Sequence, residues 1–159
     1  MIALGIDPAL NQTGYALIMK KSNGTITLME AGIIKNKQNA EFPTKLLNLF
    51  SKIDAICSVY KPQLCGIEET FVNINPASSL KLGAARGSII TAVAKNEIPI
   101  FEYSPNKIKK TITGVGKCDK SQVEFMIKRL VSGVKDDLSH DEYDAMAIAT
   151  TCLCFEEKY

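Results

Sequence analysis

Long apolar runs are missing from this chain: none approaches the roughly 20 residues that a membrane span requires. The apolar start ahead of Asp7 lacks a basic n-region, so no export signal is read there and a cytoplasmic protein is expected. A strong charge of either sign is missing too. The net charge is +2, too mild to announce a nucleic-acid binder, though a near-neutral total can still combine a basic face with an acidic pocket. Metal-ligand cysteine spacing is also missing. The five cysteines, at 57, 65, 118, 152 and 154, show no CxxC pattern and no histidine partners, since the chain has one histidine. They read as reduced, mostly buried thiols rather than a zinc site. No repeat, low-complexity tract or linker interrupts the chain, and 159 residues with 46% hydrophobic content suit one domain spanning 1–159.

What is present is a regular alternation of strand and helix patterns. Residues 2–6 and 13–19 flank the polar turn "DPALNQ" as a hairpin, and 25–34 alternates as a third antiparallel strand. The next stretch, "FPTKLLNLFSKIDAICSVYKP", sets Leu46, Leu47, Phe50, Ile53, Ile56 and Cys57 at three- and four-residue steps, with Pro43 near its start and Pro62 past its end. That is an amphipathic helix. Residues 63–69 return as a short buried strand, 76–96 read as a helix rich in small residues, and 98–103 form a fifth strand. Further helices complete the chain. The order predicts an α/β fold with a five-stranded mixed sheet, three antiparallel strands plus two parallel ones, flanked by helices.

Acidic residues recur where such a sheet places its sites. Asp7 closes the first strand and Glu68 and Glu69 close the fourth, at the carboxyl ends where open α/β sheets leave a crevice. Glu69, as the strand neighbour of Glu68, points to the other face. In "SHDEYDAMAIATTCLCF", Asp141 and Asp144 stand at i and i+3 and share a face of a helix's first turn. Two readings stay open. Ser139 and Glu142 fit a capping box, and acids in a first turn favour the helix dipole, which accounts for some of these carboxylates structurally. It does not account for Asp7 and Glu68. If the acids converge, their repulsion calls for a cation, and oxygen-only ligands suit Mg²⁺ or Mn²⁺. Two such ions about 4 Å apart suit phosphodiester hydrolysis.

Basic residues gather in "KIKKTITGVGKCDKSQ", which carries Lys107, Lys109, Lys110, Lys117 and Lys120 around Gly114 and Gly116, with Asp119 as an N-cap. Such lysines are often merely solvated, but glycines, backbone N–H groups and a helix N-terminus also suit phosphate contact. The Gly-x-Gly is weak by itself, because neither a strand–GxGxxG–helix unit nor a P-loop accompanies it.

Four blocks together, "LGIDPALNQTGYALI", "IEETFVNINPASSLKLGAARG", "FEYSPNKIKKTITGVGKCDKSQV" and "HDEYDAMAIA", resemble the RuvC family of bacterial Holliday-junction resolvases, whose fold is RNase H-like. The resemblance runs in order over almost the whole chain. It implies that Asp7, Glu68, Asp141 and Asp144 are catalytic carboxylates holding two Mg²⁺, that Phe71 stacks on unpaired bases, and that Lys109 and Lys120 contact phosphates. It further implies a homodimer on four-way junction DNA, paired nicks leaving 5′-phosphate and 3′-hydroxyl ends, and work with the RuvA–RuvB branch-migration complex. Ala9 and Cys118 depart from the family's usual glycine and alanine; both changes are small. His140, beside Asp141, either assists the acids or serves as a surface residue of the helix's first turn. Helix 76–96 is a candidate dimer element, although a core helix would read the same way.

Rival readings differ by class. A junction-binding module that does not cut needs the lysines and Phe71 but no acid cluster. Another RNase H-like nuclease, of the YqgF type, would keep the acids and change the substrate. The first hairpin also resembles the phosphate loop of actin-like sugar kinases, which clasp ATP between two such domains where this chain supplies one.

Overall fold

A computed structural model describes residues 1–70, 75–135 and 137–156. The chain begins with β1 (Ile2–Asp7), β2 (Gln12–Lys20) and β3 (Ile26–Lys35), an antiparallel meander. Helix α1 (Phe42–Tyr60) leads to β4 (Leu64–Glu68), and α2 (Pro76–Lys95) to β5 (Ile100–Tyr103). Then come α3 (Pro105–Thr113), α4 (Lys120–Leu130), β6 (Val131–Ser132) and α5 (His140–Phe155). The sheet order is β5-β4-β1-β2-β3-β6. β4 runs parallel to β1 and to β5. This is the expected mixed α/β sheet with one correction: among the described residues it has six strands and not five. The sixth, two residues pairing parallel with Ile26 and Thr27, is too short to show a period-2 pattern, so tertiary placement alone makes it a strand.

Strand alternation divides the interior into two layers. One face of the sheet offers Leu4, Ile6, Leu17, Cys65 and Ile67 to α1 and α2, where Leu49, Ile53, Ala85 and Ile89 meet them. The other face offers Ala3, Ala16, Ile18 and Leu64 to α3, α4 and α5. The cysteines 57, 65 and 152 are buried, as expected, while Cys118 is half-buried and Cys154 exposed. Helix α2 is two-sided. Ala85, Ile89, Ala92 and Val93 are buried against the sheet, whereas Leu80 is 75% exposed and nothing lies within 4 Å of a Cβ placed on Gly83 or Gly87. No helix among the described residues is long and apolar enough to cross a membrane.

Helix α5 is set directly on the sheet, and glycines make this possible. A Cβ on Gly5 would sit 2.1 Å from the carbonyl oxygen of Ala145 and 2.5 Å from the nitrogen of Ala149. One on Gly14 would sit 2.2 Å from the carbonyl oxygen of Asp141. Gly66, the neighbour of Gly5 across the β1–β4 pairing, faces the Ile148 and Cys152 side chains at 3.0 and 3.2 Å. At Gly5 and Gly14 the obstacle is backbone, which cannot rotate away. Overpacking at such a contact costs about 1–3 kcal/mol or more. Gly5→Ala is therefore expected to lower the thermal midpoint by roughly 5 °C or more, and Gly66→Ala by less, because its nearest obstacle is a side-chain methyl; thermal unfolding followed by circular dichroism reads both.

Candidate metal and nucleic-acid site

The carboxyl ends of β1 and β4 and the first turn of α5 meet at one edge. Asp7 is the last residue of β1 and shares the face of Ala3 and Gly5, so it points towards α5. The α5 start is fixed by its cap: the Glu142 carboxylate accepts from the Ser139 backbone N–H at 2.8 Å and from its hydroxyl at 2.7 Å. The capping reading is thus correct for Ser139 and Glu142; Asp141 and Asp144 take no part in that cap. Carboxylate oxygens of Asp7, Asp141 and Asp144 lie within 4.8 Å of one another.

Glu68 is not within that tight triad. It lines the same recess of about 270 Å³, together with Asp7, Asp144, Ile108, Lys109 and Lys120. A larger recess of about 740 Å³, at the opposite ends of the strands between Lys61, Gln63 and Pro99, contains a single carboxylate, Glu97, and none of this chemistry.

Electrostatics mark the acidic edge as costly. Burial pushes the Asp7 carboxyl up to about 6, with the Asp144 and Asp141 charges adding to the rise and Lys120 opposing it. Burial, then Asp7 and Asp144, push Glu68 up to about 7 against the pull of Lys120 and Lys109. Lys120 gives Asp144 an ion pair at 2.7 Å, and that hydrogen bond raises the lysine above its ordinary value. An all-oxygen donor set held together against its own repulsion fits a hard divalent cation.

The remaining predicted residues fall as follows. Lys109, on α3, lines the acidic recess, and Lys120 opens α4 behind the Asp119–Gln122 capping box. Lys107 is engaged elsewhere, with its ammonium 4.9 Å from the Tyr103 ring centre and 4.2 Å from that of Phe155. The ring of His140 is exposed and pairs with Glu124 of α4. Phe71 lies outside the described residues. The sequence reading overlooked Gln12, whose side-chain amide donates to Asp141 at 2.6 Å. Its only signal was its position at the start of the strand that pairs with β1.

These features define a class first: an α/β sheet of the RNase H-like kind with carboxylates collected at one edge. The comparisons narrow it. The family described as "Crossover junction endodeoxyribonuclease RuvC" matches residues 3–152. Similar relatives include the crossover junction endodeoxyribonuclease RuvC of Rickettsia bellii (strain RML369-C), 43% identical over 153 residues, which cover 96% of this chain and 97% of the relative. That of Rickettsia prowazekii (strain Madrid E) is 42% identical over the same shares. Among solved structures, Thermus thermophilus RuvC superposes with a TM-score of 0.86 at 22% identity, covering 95% of this chain and 92% of that one. The complex of T. thermophilus RuvC with a Holliday junction substrate gives 0.88 at the same identity and shares. The chain belongs to the RuvC family of crossover junction endodeoxyribonucleases.

The raised carboxyls have a sign that can be checked. An acid whose folded value exceeds its unfolded one binds more protons when folded, so its contribution makes stability fall as pH rises from about 4 towards 7. In EDTA, Asp7→Asn and Glu68→Gln are each expected to raise the thermal midpoint by several degrees at pH 8, and by much less at pH 5. Calorimetry of wild type and variants at both pH values measures the difference.

Proposed function

We propose that this chain is a single RNase H-like domain, 1–159, acting as a metal-dependent endonuclease that resolves four-way DNA junctions by paired nicks in opposed strands. The observation that carries the reading is the convergence of Asp7, Asp141 and Asp144 within 4.8 Å, with Glu68, Lys109 and Lys120 in the same recess, in a chain of the RuvC family. T. thermophilus RuvC with a Holliday junction substrate supplies the substrate by analogy.

In this reading Asp7, Glu68, Asp141 and Asp144 hold Mg²⁺, two ions per site, with Mn²⁺ as a substitute. When bound, the metal supplies an activated water for in-line attack and stabilises the leaving oxygen. The chain's own residues do the rest. The carboxylates present a fixed anionic edge, Lys109 and Lys120 hold the phosphodiester over it, and Phe71 stacks on unpaired bases at the junction centre. Lys120, paired with Asp144 at 2.7 Å, would turn its ammonium to a phosphate when DNA binds.

Symmetric cutting needs two sites related by a twofold axis, so a homodimer follows from the chemistry. The exposed stripe of Leu80, Gly83 and Gly87 on α2 is its candidate contact. Cytoplasmic location and work with a RuvA–RuvB branch-migration complex complete the proposal. The acid convergence favours a nuclease over a non-cutting junction binder.

The test offers a branch-migratable synthetic junction, and linear duplex of the same sequence, with Mg²⁺ or EDTA. Paired, ligatable nicks confined to the junction are expected. Asp7→Asn should cut at least roughly a hundredfold more slowly while still binding, because a bound metal supplies several kcal/mol to a charged transition state. Binding without cutting in Mg²⁺ and in Mn²⁺ would sink the nuclease reading, and cutting of linear duplex would sink the substrate. Lys109→Ala and Lys120→Ala should each flatten the plot of log binding constant against log salt by about 1, as loss of one phosphate contact requires.

A further inference from the structure

Lys45 is the one charged residue among the described ones that is buried, at 9% exposure. Its stem is packed in α1 while its ammonium donates to two neutral groups near the surface, Asn11 Oδ1 at 2.9 Å and the carbonyl oxygen of Gln38 at 3.1 Å. An apolar residue at this point of α1 would pack as well and make neither bond, so the side chain's value lies in what it holds in place.

It holds the turn between β1 and β2. Asn36 donates its side-chain amide to the Leu10 carbonyl at 2.6 Å and its backbone N–H to the Asn11 carbonyl at 2.9 Å. Asn36 is in turn fixed by Asn48 of α1, whose amide donates to its Oδ1 at 2.9 Å. From inside the turn, fully buried Thr13 donates to the Ala9 carbonyl at 2.6 Å and accepts from the Ala9 N–H at 3.1 Å. Ala9, Leu10 and Asn11 are therefore each fixed. This short span leaves Asp7 at one end and delivers Gln12 at the other, where the Gln12 amide donates to Asp141 at 2.6 Å.

We propose that Lys45 and Gln12 are positioning residues acting in series. Lys45 fixes Asn11, the turn fixes Gln12, and Gln12 holds the Asp141 carboxylate in the rotamer that completes the metal site with Asp7. The proposal rests on the reading of these acids as metal holders. Neither residue is among the carboxylates that would hold the metal; each acts through Asp141, as outer partners of metal ligands commonly do.

The test is Mn²⁺ binding to the full chain without DNA, read from the electron paramagnetic resonance of free Mn²⁺, for wild type, Lys45→Met, Gln12→Ala and the double variant. Each single change is expected to weaken Mn²⁺ about tenfold. The double variant should also lose about tenfold and not a hundredfold, because two steps in series share one effect. Junction binding in EDTA should stay at the wild-type level.

Unaltered Mn²⁺ affinity in the single variants overturns the proposal, and so do losses that multiply in the double variant. Weakened junction binding in EDTA with unaltered Mn²⁺ affinity also overturns it and assigns the turn to DNA contact instead. If Lys45→Met does not fold, Asn11→Ala takes its place in the same cycle. A wild type that binds no Mn²⁺ removes the metal reading itself, an outcome distinct from a wild type that binds while its variants match it.

Discussion

The contact on which the rest depends is the seating of α5 on glycines of the sheet. With Gly5 facing the Ala145 carbonyl and Gly14 facing that of Asp141, the helix backbone lies closer to β1 and β2 than any side chain would permit. Two consequences follow from one packing distance. The layer under α5 is closely packed, since Ala145, Ile148, Ala149 and Cys152 are fully or almost fully buried beside the glycines. The first turn of α5 is also brought to the carboxyl end of β1, which is what places Asp141 and Asp144 beside Asp7. Stability and the site share the same atoms.

The acids are assembled against their own repulsion. Burial and mutual charge hold Asp7 and Glu68 well above the ordinary carboxylate range, a cost that the fold carries at neutral pH. Part of it is offset by Lys120 on Asp144. A cluster of oxygen donors of this kind suits a hard divalent cation. The polar bracing of the β1–β2 turn fits this picture: an assembly that repels itself keeps its geometry only if its supports are stiff.

Much of this was legible in the chain. Strand and helix periodicity gave the element order, because apolar residues at steps of two or of three and four report which face is buried. Asp119 and the Ser139–Glu142 pair were readable as caps, since capping is local. The strand β6 was not readable, because two residues carry no period. Gln12 gave little warning, because its partner stands 129 positions away. His140 follows Ser139 into the helix as expected, but its choice of Glu124 depends on how α4 lies against α5.

By itself the sequence determined which residues are acids, where strands end and helices begin, and hence that Asp7 and Glu68 close strands while Asp141 and Asp144 share a helical face. Those are consequences of local geometry, decided within a few residues. Only the tertiary structure decided that three of these carboxylates form a triad and the fourth stands beside it. Only there does Lys120 answer Asp144, Gln12 answer Asp141, and Lys45 lie buried beneath the turn between them. The physical reason is that electrostatic and hydrogen-bond partners are set by distance in space, and the approach of α5 over Gly5 and Gly14 fixes that distance.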